Sequence, residues 1–221
     1  MLGIVLGTSG WQTVAHAAAE RMSAMTGLEC RVITDVFCGA YHPSWQKAKL
    51  IDHFPNVDSF LVFDADLICL RRWNPDVLFE TLGRPFCAVP DRRTDGVYEE
   101  CAELSIAFPD IYVNGGMTMF GREHKPVWDE VWKRHPKCGR FLEQGALNLA
   151  LLDLDIQVCR LPKRYNVVTH RGQITQSELD ALGAINLHAT NLKVPSEVAK
   201  IQSQYGLYAN RECDAFAGNP A

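Results

Sequence analysis

The chain is poor in the signatures that announce common ligands. Its eight cysteines (30, 38, 69, 87, 101, 138, 159 and 213) form no C-x-x-C pair, which argues against a structural zinc site and a disulfide framework. Several sit in apolar runs such as Ile68-Cys69-Leu70 and read as reduced core thiols. No G-x-x-x-x-G-K-[ST] occurs, and Gly3, Gly7 and Gly10 do not space out as G-x-G-x-x-G, so the two common glycine-rich phosphate cradles are missing. No apolar window approaches the roughly 18 residues of a membrane span. Residues 1–6 are too short, and lack the basic lead-in, for a signal peptide, so a reducing cytoplasm is the expected address. Internal repeats, low-complexity tracts and Pro/Gly/Ser-rich linkers are lacking too. Nor is there a basic surplus: 22 Lys and Arg against 26 Asp and Glu leave a net charge of −4, which disfavours long duplex DNA as a partner. Local basic pairs (Arg71-Arg72, Arg92-Arg93, Lys163-Arg164) still leave room for an anionic ligand.

What the chain does have is enough apolar residue, 47% over 221 positions, for one globular domain with a sizeable core. Short apolar runs at 2–6, 31–34, 59–63, 86–89, 111–113, 117–120, 156–161 and 184–187 predict strands. Between them, helices are expected over 11–25, 44–53, 74–82, 125–134, 141–152 and 195–203. In the first, Trp11, Val14, Ala18, Met22 and Met25 recur at three- or four-residue steps along one face. Asn74-Pro75 and Lys125-Pro126 look like helix openings. This alternation predicts an α/β architecture with a mainly parallel central sheet. The charged, glycine-broken stretch 91–105 reads as a mobile loop beside the site. Residues 1–193 are expected to form the main domain, with 194–221 a C-terminal helix and tail that belongs to it or is partly disordered, frayed at 217–221.

The most chemical segment is Phe60-Leu61-Val62-Phe63-Asp64-Ala65-Asp66. In extended backbone, side chains two residues apart leave the same face, so both acids converge on one site. Unpaired buried carboxylates are costly and call for a metal or cation beside them. In parallel α/β sheets ligands gather beyond the carboxyl ends of strands, where these acids fall. A divalent ion held there bridges an acidic protein and a pyrophosphate that would otherwise repel each other. The plainer alternative is that Asp64 and Asp66 are turn or cap residues.

Six segments, in order, carry a resemblance: Lys47-Ala48-Lys49-Leu50, Phe60 to Asp66, Tyr112-Val113-Asn114-Gly115-Gly116-Met117, Glu143-Gln144-Gly145-Ala146-Leu147-Asn148, Leu161-Pro162-Lys163-Arg164-Tyr165-Asn166, and Ile185-Asn186-Leu187-His188. In order and approximate spacing they resemble glycosyltransferase family 8, the group of glycogenin-like and bacterial galactosyltransferase-like enzymes. The resemblance spans most of 2–193 and implies a single-domain GT-A fold, the Rossmann-like architecture of nucleotide-diphospho-sugar transferases. It further implies transfer of a hexose or similar sugar from a UDP-linked donor to an acceptor hydroxyl, with retention, assisted by Mn²⁺ or Mg²⁺.

Residue by residue, the resemblance implies that Asp64 and Asp66 bind the ion, Asp64 also lying near the donor ribose, and that His188 completes the metal set from a distant strand. An imidazole among the ligands suits manganese better than magnesium; a histidine at a strand end is otherwise a hydrogen-bonded structural residue. Gly7, Thr8 and Trp11 are expected to receive the base, Trp11 being alternatively the first core residue of its helix. Relatives carry an acid or Asn just after this strand, where this chain has Ser9 and Gly10. Lys47 stands where relatives have an arginine touching diphosphate and sugar; it keeps the charge and gives up the bidentate fork, unless it is a solvated helix lysine. Asn114 and Gly115 are expected at the sugar, with glycine allowing close backbone approach; as an alternative, Asn-Gly-Gly is a hairpin turn. Glu143 is implied to bind sugar hydroxyls, or else to cap a helix, and Gln144 to lie under the anomeric carbon. Asn148 is implied among the donor-binding residues. Gly145 replaces an acid of many relatives, which favours same-face attack with the departing phosphate as base. Lys193 is implied as a diphosphate contact in 188–193, the counterpart of a His-Gly-Lys segment, or else it is a surface lysine.

Two other readings compete. Haloacid-dehalogenase-type phosphatases also place D-x-D after an apolar strand, which would make Asp64 a nucleophile, but their motif sits on the first strand and position 68 here is Ile. A non-catalytic relative that holds a sugar nucleotide or glycan is the third. The acceptor stays open among saccharide, protein, lipid-linked glycan and modified nucleobase, and 194–221 is not the basic amphipathic tail of membrane-surface relatives.

Overall fold

The computed structural model describes residues 1–8, 10–39, 42–91, 94–107, 112–136, 138–170, 173–190 and 194–206. The apolar alternation organises it. On β3 (Ser59–Phe63), Phe60 and Val62 face one layer, Leu61 and Phe63 the other, and all are buried. A strand buried on both faces must be covered twice. On one side the cover is α1 (Gln12–Thr26), through Val14, Ala18 and Met22. On the other it is α5 (Lys125–Lys133) and α6 (Glu143–Asp153), through Trp128, Val131, Leu147 and Ala150. The α1 stripe is the predicted one, and the helix stops at Gly27, whose left-handed φ of 75° lets its N–H reach Ser23 O.

Around β3 the main sheet adds β1 (Leu2–Leu6), β2 (Cys30–Ile33), β5 (Phe86–Pro90), β6 (Val113–Gly121) and β7 (Val158–Arg160), in the order β2-β1-β3-β6-β5-β7. The β2-β1-β3 and β5-β7 pairings are parallel, and β6 runs antiparallel to both its neighbours. The sheet is therefore mainly parallel, as expected. A second sheet of β4 (Leu67–Cys69), β9 (Asn186–Thr190) and β8 (Val167–His170) stands at its edge, with Leu67 paired to His188. Its apolar face packs on Leu179 of α7 (Gln176–Ala181) and on Ile201 and Tyr205 of α8 (Pro195–Gly206). Gln202 Nε2 of α8 donates to Val14 O at 3.2 Å and Arg21 Nη2 to Tyr205 O at 2.9 Å, so the last described helix is tied to α1. Positions 207–221, including the tail at 217–221, lie outside the described residues.

The remaining elements correct several expectations. Residues 113–121 form one continuous strand, so Asn114-Gly115-Gly116 is not a hairpin turn. The expected loop 91–105 contains α4 (Asp95–Glu103). Most of 44–53 is a 3-10 helix, Pro43–Lys49, followed by the single turn α2 (Leu50–His53). By contrast α3 (Pro75–Thr81) opens as predicted, with Pro75 in its first turn and the Asn74 side chain accepting from Val77 N at 3.0 Å. Short β4, β8 and α7 were not anticipated. Cys30, Cys38 and Cys159 are only partly buried; Cys69, Cys87, Cys101 and Cys138 are core thiols, and burial pushes Cys69 up to about 12.

Candidate active site

The acids sit where the two sheets part. β3 ends at Phe63, and the chain turns through Asp64-Ala65-Asp66, closed by Leu67 N to Asp64 O at 3.0 Å, to enter β4. A turn, not extended backbone, thus brings the carboxylates together, as the plainer turn alternative has it. The backbone pins both: Asp64 N donates to Gly116 O at 2.9 Å, and Asp66 O accepts from Ala189 N at 3.1 Å. That last bond hands the turn to β9, which carries His188.

His188 Nε2 lies 3.2 Å from Asp66 Oδ1 and 3.8 Å from Asp64 Oδ2. One ligand atom from each residue falls within 4.8 Å of the others. A nitrogen aimed between two carboxylates needs a proton or a cation to hold it there. Burial opposes the imidazolium, but Asp66 and then Asp64 outweigh it and raise its pKa. The donor set, one imidazole and two carboxylates, fits a divalent ion. The ring fits only because position 116 is glycine: a Cβ there would fall 2.1 Å from His188 Cε1 and 2.7 Å from Nδ1. A glycine inside a strand often marks such a close approach.

Beside this set lies an ion network. Lys47, 3% exposed, donates from Nζ to Asp64 Oδ1 (2.8 Å), Gly115 O (2.9 Å) and Glu143 Oε1 (3.1 Å). An ammonium has three N–H groups, and all three have acceptors. The solvated-lysine alternative is therefore overturned. Burial opposes the Lys47 charge, yet Asp64 and Glu143 hold its pKa above the ordinary lysine range. Asp64 answers in kind: burial would raise it, but Lys47 and then His188 keep it below the usual carboxylate range.

A second network continues from Gly115. Gln144 Oε1 accepts from Gly115 N at 2.8 Å while Nε2 donates to Asp91 Oδ2 at 3.0 Å. The same Asp91 oxygen accepts from Asn114 Nδ2 at 3.2 Å, and Asn114 Oδ1 accepts from Asn166 Nδ2 (2.9 Å) and Gly116 N (2.9 Å). Asn148 is fully engaged with backbone: Oδ1 accepts from Val113 N at 2.7 Å, and Nδ2 donates to Val113 O at 3.0 Å and Gln144 O at 2.9 Å. It fastens α6 to β6.

Of the residues singled out in the sequence, Lys47, Asp64, Asp66, Asn114, Gly115, Glu143, Gln144, Asn148 and His188 are thus linked in one continuous polar cluster. Gly7, Thr8 and Trp11 lie at the carboxyl end of β1, which is parallel to β3, and so at the same edge of the sheet. A Cβ on Gly7 would meet Ala15 Cβ at 2.5 Å, so this glycine lets α1 close over β1. Trp11 is the cap residue of α1 and half-buried against the core, in line with its structural alternative. Lys193 lies outside the described residues. Asp91 and Asn166 belong to the cluster and were not singled out. Asn166 stood inside a quoted segment without a role, and Asp91 was hidden in a stretch read as loop.

A mainly parallel sheet covered on both faces, with a D-x-D turn at its carboxyl edge and a small second sheet bringing a histidine to it, is the GT-A glycosyltransferase fold. Solved structures bear this out. The galactosyltransferase LgtC in complex with donor and acceptor sugar analogues superposes with a TM-score of 0.61 at 15% identity, over 98% of this chain and 98% of that one. A glycosyltransferase involved in glycosylation of the major capsid of PBCV-1 gives 0.59 at 11% identity, over 93% and 98%. The bifunctional glycosyltransferase WbbM gives 0.62 at 11%, over 93% of this chain and 51% of that one. At such identities the likeness is one of fold. No protein-family model matches the chain, and no curated protein matches it in sequence.

Proposed function

We propose that the chain is a metal-dependent glycosyltransferase of family 8 type, moving a hexose or similar sugar from a UDP-linked donor to an acceptor hydroxyl with retention, in the cytoplasm. One observation carries the reading: Asp64, Asp66 and His188 share a corner with Lys47, Glu143, Gln144, Asn114 and Asp91, in a fold whose solved neighbours are glycosyltransferases. We assign the ion, manganese before magnesium, to Asp64, Asp66 and His188. When bound, it would neutralise charge developing on the departing diphosphate.

The protein's own groups do the rest by being fixed in advance. Lys47, with every N–H engaged, acts through Asp64 and Glu143, holding one carboxylate for the donor and the other for sugar hydroxyls. Gln144 is clamped at both ends of its amide, so its oxygen is held at Gly115 and faces the anomeric carbon without reorganising. Asp91, Asn114 and Gly115 complete the sugar side, and Gly7, Thr8 and Trp11 receive the base. With glycine at 145 in place of a second acid, the acceptor oxygen would bond to the anomeric carbon on the face where the bond from that carbon to the diphosphate breaks, and the acceptor proton would pass to the departing phosphate oxygen. Lys193 is assigned to the diphosphate, Asn148 to the support of this wall, and the domain to residues 1–193 with its C-terminal helix.

The test is thermal. UDP should raise the melting temperature only with Mn²⁺, and Asp66→Ala should abolish the rise; an equal rise in that variant overturns the metal assignment. A panel of nucleotide sugars, scored for slow hydrolysis, then identifies the donor. The phosphatase reading loses ground because the solved neighbours of the fold are glycosyltransferases and Asp64 follows the third strand of the chain, not the first. Rapid Mg²⁺-dependent release of phosphate from a simple ester, lost in Asp64→Asn, would restore it.

A further inference from the structure

α4 carries a carboxyl that the site does not use. Glu100 is wholly buried, and its Oε2 accepts the backbone N–H groups of Arg140 and Phe141 (3.2 Å for the latter). Among the described residues its Oε1 has no hydrogen-bond partner. Both glycines around it are shaped to it. A Cβ on Gly145 would fall 2.1 Å from Oε1, and one on Gly139 2.3 Å from the same atom. The Cys138 carbonyl oxygen borders the Gly145 position as well, at 3.3 Å. Gly145 is thus the place where a neighbouring element's acid fills the room that a side chain on α6 would take. Burial raises the Glu100 pKa against the pull of the two N–H groups.

The segment it grips is the entry to α6. Gln144 N bonds to Phe141 O at 3.1 Å and Ala146 N to Leu142 O at 3.2 Å, so 141 and 142 are the carbonyls from which the helix starts. Leu142 has a φ of 53°, an uncommon conformation for a leucine, and among the described residues no side chain caps the helix. Outside the turn, Arg140 clasps α4 again, through Glu103 (2.7 Å) and Glu99. Glu143 and Gln144 follow directly. Such a bent, uncapped start holds its geometry only if something outside the helix fixes it, and Glu100 is the group bonded there.

We infer that Glu100 is a positioning residue: its carboxyl, reaching from α4 into the space left by Gly145, fixes the 139–142 turn and thereby aims Glu143 and Gln144. This rests on the transferase reading for its kinetic consequence, but not for its structural one. In hydrogen exchange of the full chain, Glu100→Ala should lose protection at the amides of 140–146 and keep it in β1 and β3. Glu100→Gln, whose amide oxygen still accepts both N–H groups, should keep both. Gly145→Ala, which pushes the carboxyl out of its place, should reproduce the local loss, and it replaces Glu100→Ala if that variant does not fold.

With a nucleotide sugar that the wild type hydrolyses, Glu100→Ala should lower kcat by about 10- to 100-fold. Mn²⁺ affinity should stay unchanged, because Asp64, Asp66 and His188 lie on other elements, and Glu100→Gln should recover the rate. A wild type that hydrolyses no nucleotide sugar refutes the transferase reading and leaves the exchange result to decide this one. Unchanged protection at 140–146 in a folded Glu100→Ala, or a Glu100→Gln as impaired as the alanine, overturns the inference.

Discussion

Lys47→Met removes a charge and keeps most of the volume, and its effect follows from what the lysine touches. It leaves Glu143, 11% exposed, and Asp64, 36% exposed, without their cation. Breaking a buried ion pair by deleting one partner costs about 3–5 kcal/mol. Solvent screens the more open Asp64, which argues for the lower end, about 3 kcal/mol. At about 2–4 °C per kcal/mol for a domain of this size, the melting temperature should drop by about 6–12 °C at pH 7 in EDTA. The pH dependence has a definite sign. Lys47 and His188 depress the folded-state pKa of Asp64, so the contribution is full above the ordinary aspartate value and is lost as pH falls through the depressed one. The gap between wild type and variant should therefore narrow below about pH 4. Adding Glu143→Gln to Lys47→Met should recover about 1–2 kcal/mol by removing the stranded charge. Calorimetry across pH 3 to 8, chosen to bracket the carboxylate range, checks all three. A drop below about 2 °C, or a double variant no more stable than the single one, would refute the reasoning.

Two further outcomes follow from single positions. Gly116→Ala should displace the His188 ring, weakening Mn²⁺ binding by about tenfold or more while the helices stay intact by circular dichroism; metal titration of the folded variant checks this, and wild-type affinity would sink it. Asn148→Ala removes an amide bonded to Val113 N, Val113 O and Gln144 O, and leaving such buried backbone groups unpaired should cost about 1–3 kcal/mol in urea unfolding, with a flat result meaning that water replaces the side chain.

Much of the frame was legible because it rests on repetition. The α1 stripe and the continuous apolar runs of β1 and β3 are patterns that burial imposes over many residues. The acids were legible because two carboxylates after an apolar strand conflict with a plain core. Lys47 was ambiguous for the opposite reason: lysines are mostly exposed, and only the tertiary arrangement of Asp64, Gly115 and Glu143 makes burial tolerable. Asn114-Gly115-Gly116 misled because its local preference is a turn, whereas it lies in a strand that passes a histidine ring which only a glycine at 116 admits. α4 was missed because its polar face dominates the composition, although Val97 and Cys101 sit one turn apart. α7 did carry a signal, Thr175 with Glu178 three residues on, and the structure shows that reciprocal cap.

The candidate metal set is assembled from a turn at the first third of the chain and a strand near its end, and the antiparallel register of Leu67 with His188 is what joins them. During synthesis, then, the acids emerge long before their histidine, and the ion has no complete seat until the small sheet has closed. Affinity for a divalent ion would in that sense be a readout of finished folding: a chain stopped short of β9 should carry both aspartates yet fail to retain the ion.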